Sequence, residues 1–446
     1  MRKILLTGWL IMVAGFLSAQ YTINDPFTRW GVGEVAMGDN TSARALGGAS
    51  LFPSDYNIVN LNSAASYALL KETTFQAGGW VSESKYQPSS GVFRSGQWGE
   101  MAMGFKQQGS KYGFAMGVNT FSRMGYNFGQ SFTVNDSVGG QQLHSGEGGI
   151  HQFVFGAARK WAWGQDSAHW VGHQLSVGVN GAFMFGSLGY HRNLDFENTQ
   201  TYNSRFDNWV SVQDIRPDFS FQYQFPLIGN VKQKEKTNLW VMSLAGQYTP
   251  EFNLNGDQNI YGISYVKYAG VDVTIDTGFV ALNQAGSIAI PQRVQFGGVV
   301  TAFLKSGARL DFYGQYARQD WRNSTTSFAL SAYSDLNVAQ STSIGVEFIP
   351  LSNERATNAL QLTHFRLGYK TGQDYIKLDN QAVQVQVYSA GLSIPIRASK
   401  TNSSIQLSYQ WLNKSTTSGF GMHQSIVGVG FQMSPFERWF VVRKYD

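Results

Sequence analysis

Residues 405–411 read IQLSYQW, a stretch in which apolar or aromatic side chains alternate with polar ones at every position. Because successive side chains of a β-strand point to opposite faces, this period predicts a strand with one apolar and one polar face. The same alternation recurs in 175–180, 383–387 and 427–433. Strands of about 10 residues suit a wall between lipid and a polar lumen, whereas most strands of soluble proteins have about 5 to 6. The pattern therefore predicts an all-β transmembrane antiparallel barrel.

About 14 strands of this kind are predicted, and an even number is expected of a bacterial barrel. They are expected to begin near Thr73, Gln97, Lys111, His151, Leu175, Trp209, Asn238, Gln292, Leu310, Gln340, Leu360, Val383, Ser404 and His423. Outward connections are expected to be long loops, among them 125–150, 189–208 and 250–291, and most inward ones are short.

The composition agrees with a barrel and excludes other classes. Charged residues make up 14% of the 446 residues, against roughly 25% in ordinary globular chains, and aromatic residues also reach 14%. The mean hydropathy is −0.22, and after residue 19 there is no apolar run of about 20 residues, as a membrane helix requires. A barrel needs no such run, since only alternate residues face lipid.

The absence of cysteine excludes disulfides, a thiolate metal site and an acylated N-terminus. The formal net charge is +5, of which Arg2 and Lys3 belong to the leader, so the mature chain carries 5 − 2 = +3. This slight, scattered charge gives no indication of a nucleic-acid partner.

The N-terminus has the pattern of a cleaved signal peptide. Arg2 and Lys3 precede the apolar residues 4–16, and Leu17-Ser18-Ala19 precedes a cut before Gln20. Four parts are therefore predicted: a signal peptide 1–19, an N-terminal hatch 20–70, a barrel 71–433 and a periplasmic tail 434–446. Export with a barrel fold predicts the bacterial outer membrane.

Residues 41–70 are rich in Ala, Gly, Ser and Asn, which suits a chain packed closely in a confined space. Gly47 and Gly48 permit positive φ and tight approach, and the side chains of Asn60 and Asn62 can hold irregular backbone together.

Residues 42–49, SARALGGA, resemble the N-terminal hatch of the FadL/TodX family of outer-membrane transporters for hydrophobic compounds. Residues 26–33, PFTRWGVG, are similar to the opening of FadL-like barrels of the Bacteroidetes, and 290–297 and 390–395 resemble later strands of the family. Residues 62–64, NSA, depart from it, because the family has proline where Ser63 stands. The resemblance implies 14 strands and a hatch inside the lumen, with the hatch positions Arg44, Gly47, Gly48, Asn60, Asn62 and Ala64.

The resemblance also implies a function: passive uptake of fatty-acid-like or aromatic small molecules through a hatch-gated lumen. Apolar residues of an outward loop are candidates for ligand entry, namely Phe121, Met124, Tyr126 and Phe128. Gly113 and Gly117 are candidates for a bend in the third strand that opens a side exit to the bilayer. The alternative is a non-transporting FadL-like barrel that serves as a subunit of an envelope machine, such as one for secretion or outer-membrane biogenesis, with periplasmic or outer-membrane protein partners.

The protein is predicted not to be an enzyme and to bind no cofactor or metal. No hydrolase, phosphate-loop or zinc-protease motif is present. His169 and His173 are interpreted as part of a turn, and Asn253–Asp257 lacks the full spacing of a calcium loop.

Aromatic residues near the predicted strand ends, Trp98, Trp163, Trp209, Trp240, Trp321 and Trp411, are interpreted as girdles at the membrane interfaces. In the tail, Trp439 and Phe440 beside cationic residues suit an anchor in the outer-membrane lipid or a docking site for a protein.

Overall fold

The computed structural model describes residues 25–434 except 37–39, 54, 88–90, 108, 135–137, 164–171, 198–200, 229–238, 269–270, 331–335, 352–357, 379, 399–400 and 418. The signal peptide, His169 and the tail with Trp439 and Phe440 lie outside the described residues. Among these described residues no helix is both long and apolar enough to cross a membrane.

The chain forms a closed antiparallel barrel of 14 strands, as predicted. The strands are β1 Thr74–Gln87, β2 Val92–Phe105, β3 Tyr112–Val134, β4 Val138–Trp163, β5 His173–Phe196, β6 Asn203–Ile228, β7 Leu239–Thr249 with Phe252–Tyr268, β8 Val271–Ile290 with Arg293–Phe303, β9 Arg309–Asp320, β10 Val338–Ile349, β11 His364–Leu378, β12 Gln381–Ala398, β13 Thr401–Ser415 and β14 Gly421–Ser434. β7 and β8 are interrupted near Pro250 and Pro291, because proline has no N–H to give to the ladder.

Each strand pairs with its neighbours in the chain, and β14 closes the barrel on β1 from Gly421↔Gln87 to Met433↔Phe75. We call the end that carries the β1–β2, β3–β4 and following odd-numbered connections the hairpin end. The end where β1 begins and β14 finishes is the terminal end.

The two faces of the wall follow the predicted alternation. In β13, Ile405, Leu407, Tyr409 and Trp411 are about two-fifths to half exposed on the outside, whereas Gln406, Ser408 and Gln410 are buried on the inside. An apolar outer band with a polar lumen is the arrangement of a transmembrane barrel.

Three of the predicted outward loops are wrong. Residues 125–134 and 138–150 continue β3 and β4, residues 203–208 belong to β6, and 252–268 with 271–290 form a long hairpin. Beyond the lipid belt a strand needs no apolar outer face, so the alternation ends while the hydrogen-bonded ladder goes on. We call the hairpin made of 252–268 and 271–290 the arm.

The N-terminal residues 25–36, 40–53 and 55–70, here called the plug, lie inside the barrel. They contain the short helix α1 (Thr41–Ala45) and the 3-10 helices Pro26–Arg29 and Ala64–Leu69. α1 packs against β11–β14, and Ala64–Leu69 packs against β3–β6. The plug thus touches opposite walls of the lumen.

Candidate functional site

The helix α1 fixes the plug to β1 and β13. The side chain of Asn40 caps it by accepting a hydrogen bond of 2.7 Å from the N–H of Ala43. The guanidinium of Arg44 lies 3.7 Å from the ring centroid of Trp80, and it donates to Oε1 of Gln410 at 3.0 Å. Nε2 of Gln410 donates in return to the carbonyl of Arg44. Arg44 therefore meets the wall through stacking and hydrogen bonds at once.

Gly47 and Gly48 bring the plug backbone against the wall. Their φ angles are +70° and +80°, which favour glycine. The N–H of Gly47 donates to Oγ of Ser389 at 2.9 Å, and Oγ of Ser343 donates to its carbonyl at 2.9 Å. A Cβ on Gly47 would come within 2.9 Å of the backbone of Tyr369. This close approach to β10, β11 and β12 requires a residue without a side chain.

The 3-10 helix that begins at Ala64 binds the opposite wall. The N–H of Ala65 donates to Oγ of Ser220 at 2.8 Å, and Oγ of Ser176 donates to the carbonyl of Ala65 at 2.5 Å. The hydroxyl of Tyr67 donates to Oδ1 of Asn180 at 3.0 Å. Ser63, which stands where the FadL/TodX family has proline, occupies the N-cap position of this helix.

Asn60 ties two turns of the plug together. Its Nδ2 donates to the carbonyl of Ser50 at 2.6 Å, and its Oδ1 accepts from the N–H of Asn62 at 3.2 Å. The bond to Asn62 is a local side-chain to backbone bond of the type expected for these asparagines, whereas the bond to Ser50 spans ten residues.

A buried ion-pair cluster joins the plug to β13. Nζ of Lys414 lies 3.1 Å from Oε1 of Glu34, 3.3 Å from Oδ2 of Asp25 and 4.0 Å from Oδ2 of Asp374. Glu34 also pairs with Nη2 of Arg123 at 3.2 Å. Burial alone would raise the pKa of Glu34, but the charges of Lys414 and Arg123 lower it to about 2. The carboxylate is therefore charged at neutral pH and holds both cations.

The wall has a seam between β2 and β3. Their ladder contains only the pairs from Glu100↔Asn119 to Phe105↔Phe114. Further along β3 its free edge pairs with the plug instead, at Glu34↔Arg123 and Val35↔Ser122. Two further plug N–H groups, of Ala36 and Asp25, donate to carbonyls of β3 at 2.8 and 2.7 Å. In this part of the wall the plug therefore takes the place of β2 as the hydrogen-bonded neighbour of β3.

The candidates for a strand bend lie in the regular part of β3. Gly113 pairs with Ala158 and Gly117 pairs with Ala102. A side chain on Gly113 would overlap the carbonyl of Tyr67, so this glycine admits the plug. The irregularity of β3 lies instead at Phe121, where the register with β4 shifts between Thr120 and Ser122.

The candidates for ligand entry lie in β3 rather than in a loop. Phe121, Met124 and Tyr126 are buried, and Phe128 packs against them. They belong to an apolar core at the hairpin end, which also includes Phe27 of the plug. We call it the outer core; its other members are Val32, Tyr86, Ile150, Met184, Leu188, Val210, Val212, Leu254, Ile288, Ile290, Trp321, Phe328, Leu336, Ala339, Tyr375, Ile376, Val383 and Met422.

Between the outer core and the plug lies a cavity of about 140 Å³ that is lined by both charged and apolar side chains, Trp80 and Leu412 among the latter. Arg44, Arg123, Lys370 and Lys414 line it with the carboxylates of Asp25, Glu34 and Asp374. A second cavity, of about 20 Å³, is lined by Asn62, Phe121, Arg216 and Asp218 among others.

The remaining residues that were considered in the sequence analysis have the following contacts. His173 stacks between Trp163 and Tyr223, and Asn253–Asp257 lies within β7, where Asn255 donates to Asp214. Trp98, Trp163 and Trp411 are more than two-fifths exposed on the outside, as expected of girdle residues. The girdle interpretation of Trp321 is wrong: this side chain is fully buried in the outer core and stacks on Tyr375 at 4.6 Å.

Sequence reasoning missed the charged cluster. Lys414 could have been found, since it shares the parity of Gln406, Ser408 and Gln410 in β13 and so must face the lumen. Asp25 and Glu34 could not be found in this way. They lie outside the barrel strands, in a segment without a repeating pattern of polar and apolar residues from which the orientation of a side chain could be inferred.

The fold is shared with solved toluene transporters and with a solved FadL homologue. The toluene transporter TodX of Pseudomonas putida superposes with a TM-score of 0.53 at 13% identity, over 90% of this chain and 99% of that one. The toluene transporter TbuX of Ralstonia pickettii gives 0.51 at 14%, and a FadL homologue of Pseudomonas aeruginosa gives 0.52 at 11%, each with the same coverage. At this identity the likeness concerns the fold alone. No curated protein matches the sequence. The family model described as BamG matches residues 1–446, and the chain therefore belongs to the BamG family.

Proposed function

We propose that this chain is an outer-membrane barrel that carries no ligand through its lumen and serves as a subunit of an envelope machine for secretion or outer-membrane biogenesis. The observation that carries the proposal is the obstruction of the lumen by the plug and the outer core. The plug binds opposite walls, and the outer core occupies the hairpin end. Export with a cleaved signal peptide and contact with outer-membrane lipid are part of the same proposal.

The character of the larger cavity supports it. Sites for small organic ligands are mostly apolar and occupy about 300 Å³ or more, whereas this cavity has about 140 Å³ and seven charged side chains in its lining. A hydrocarbon there would have to displace the ion pairs of Lys414 and Glu34, which would leave buried charges without partners. The match of the BamG family model over residues 1–446 also supports the proposal.

Uptake of labelled toluene and of a labelled long-chain fatty acid tests the proposal. Host cells that lack their own transporter of this fold receive either this chain or TodX, at matched amounts in the outer membrane. We expect TodX to raise toluene uptake and this chain to leave both uptakes at the background. Uptake by this chain at the rate of TodX would overturn the proposal.

Passive uptake of hydrophobic small molecules is a second candidate, and the seam between β2 and β3 favours it. Since the plug fills the free edge of β3, withdrawal of Glu34 and Val35 would leave an opening in the wall toward the bilayer. The double variant Val35→Cys with Ser122→Cys tests it, because these residues are register partners and the chain has no other cysteine. For a transporter, oxidation should stop uptake and reduction should restore it. For a subunit, neither treatment should change it.

A further inference from the structure

Arg159 of β4 lies on the outer face of the barrel wall, near the terminal end, and its side chain is exposed. In the register of the wall it pairs with Tyr112 of β3 and with Val177 of β5, which are also exposed. Its outward neighbours along β4 are apolar or aromatic, namely Phe153, Phe155, Ala157, Trp161 and Trp163. A charged group therefore stands among uncharged neighbours on the lipid-facing surface.

The level of Arg159 is that of the lipid headgroups, because outward aromatic residues mark both edges of the apolar band on β4. On the side of the hairpin end, His151 stacks on Trp98 with their ring centroids 5.3 Å apart. On the side of the terminal end, Trp161 and Trp163 are exposed. The stretch from His151 to Trp161 matches the about 9–11 residues with which a tilted strand crosses the hydrocarbon core. Arg159 is the outward position next to Trp161, so it lies where the hydrocarbon meets the phosphate groups.

Two aromatic rings hold the guanidinium of Arg159 in place. Its Cζ lies 4.9 Å from the ring centroid of Trp161 and 5.4 Å from that of Tyr112. Such cation–π contacts orient the group without using its N–H donors. Within the described residues the guanidinium has no hydrogen bond or ion pair. Its N–H groups are therefore available to an acceptor from outside the chain.

Two lysines add to the positive charge beside Arg159. Lys111, which is exposed, directly precedes Tyr112, and Lys160 directly follows Arg159. The N–H of Lys160 donates a hydrogen bond of 2.8 Å to the carbonyl of Lys111, so the two lysines lie next to each other at the end of the β3–β4 ladder. In the described parts of the chain, no carboxylate forms an ion pair with any of these three cations. The patch therefore carries a net positive charge.

The location and the charge of the patch together indicate an anionic lipid as its occupant. A cation on the lipid-facing surface is costly unless it reaches polar groups at the interface. The headgroup phosphate of a phospholipid lies at this level and offers oxygen acceptors that match the planar guanidinium. A soluble anion could reach the lysines, but it would not cover the apolar surface at Phe155 and Val177. An anionic headgroup is favoured over a zwitterionic one, since the three cations would repel a headgroup amine.

We propose that Tyr112, Arg159 and Trp161, together with Lys111 and Lys160, form a binding site for an anionic phospholipid. The phosphate would accept hydrogen bonds from Arg159, and the acyl chains would lie along the apolar band of β3 to β5. The inference rests on the proposed outer-membrane location, with the terminal end on the periplasmic side, where the lipids are phospholipids. It does not depend on whether the lumen carries a ligand.

The test uses the purified full-length protein in neutral detergent, with phosphatidylglycerol added, and native mass spectrometry. We expect the protein to retain phosphatidylglycerol, and to bind diacylglycerol with the same acyl chains, which lacks the phosphate, about tenfold more weakly or less. Arg159→Gln should weaken the binding of phosphatidylglycerol about tenfold or more, and Arg159→Lys should weaken it less, because the charge remains. Arg94→Gln is the matched control, since Arg94 is also an exposed arginine of the outer surface but pairs with Glu83 at 3.1 Å, and it should leave binding unchanged.

A second variant and a soluble anion distinguish a headgroup site from simple attraction of charge. Tyr112→Leu with Trp161→Leu keeps the charge but removes both rings, and it should also weaken the binding of phosphatidylglycerol. Inorganic phosphate at the same concentration as the lipid should not displace it, and displacement would overturn the proposal in favour of a site for a free anion. Equal binding of diacylglycerol, or unchanged binding in Arg159→Gln or in the ring variant, would also overturn it. Lipid retention is measured on the outer wall of the purified protein and toluene uptake through the lumen in cells, so failure here and failure of the proposed function are distinguishable.

Discussion

Nζ of Lys414 lies 3.1 Å from Oε1 of Glu34, an ion pair that joins the thirteenth strand of the barrel to the plug. Both side chains are inside the lumen, Lys414 only 3% exposed. A buried pair gains little over apolar groups, but loss of one partner leaves an uncompensated charge. The pair therefore specifies where the plug docks.

Lys414→Met should destabilise the protein strongly. Removal of the cation leaves the buried carboxylate of Asp25 without its ion pair, and breaking a buried pair costs about 3–5 kcal/mol. The free energy of unfolding in urea measures the loss. Lys85→Met is the control, since Lys85 is 63% exposed and lies 4.0 Å from its partner; an equal effect of both variants would contradict the role given to Lys414.

The stabilisation from Glu34 should depend on pH. Its pKa is lowered from 4.5 to about 2 in the folded protein, so its contribution is present above about pH 4.5 and is lost as the pH falls toward 2. A shift of this size corresponds to about 3 kcal/mol. The wild type should exceed Glu34→Gln in stability at pH 7, and the difference should shrink by pH 3. If the difference in stability between the wild type and Glu34→Gln stays constant from pH 7 to pH 3, Glu34 does not have a lowered pKa in the folded protein.

Gly113→Val should loosen the plug. The new side chain would overlap the carbonyl of Tyr67, and the 3-10 helix Ala64–Leu69 would have to move. Thermal unfolding in detergent should begin at lower temperature, and proteases should cut the plug sooner. Gly314→Val in β9 is the matched control, because a Cβ there meets nothing within 4 Å. If both variants behave alike, the glycine does not serve plug packing.

The orientation of the barrel can be tested with single cysteines in a chain that has none. Tyr268 lies at the tip of the arm and is 76% exposed, and Ser306 lies in the exposed β8–β9 turn at the terminal end. An impermeant maleimide should label Tyr268→Cys on intact cells and Ser306→Cys only after the outer membrane is opened. The reverse order of labelling would place the terminal end of the barrel on the outside of the cell.

The sequence predicted the membrane part of the fold well, because a wall between lipid and water imposes an alternation of period two on each strand. Five of the fourteen predicted starts lie one residue from the start of an observed strand segment, namely Thr73, Lys111, Asn238, Gln292 and Leu310. The extensions of β3 to β8 could not be predicted from the sequence, because strands outside the lipid need no alternation of apolar and polar side chains. His151, taken as the start of a strand, lies well inside β4.

The plug was only partly predictable. Positive φ at Gly47 and Gly48 and the local bond between Asn60 and Asn62 agree with expectations from residue type. Which wall each one meets depends on partners hundreds of positions away, and no local pattern encodes that. The same applies to Trp321. Its position near a strand end suggested the membrane interface, but it stacks on Tyr375, which is distant in the sequence and becomes its neighbour only in the folded barrel.

The contacts between plug and β13 also constrain the order of folding. Asp25 and Lys414 are separated by 389 positions, and Arg44 and Gln410 by 366. Contacts of such sequence separation form late, because the intervening chain must first be ordered. The N-terminal segment leaves the ribosome first and yet docks among the last, so the growing barrel must keep its first residues inside while the sheet closes around them.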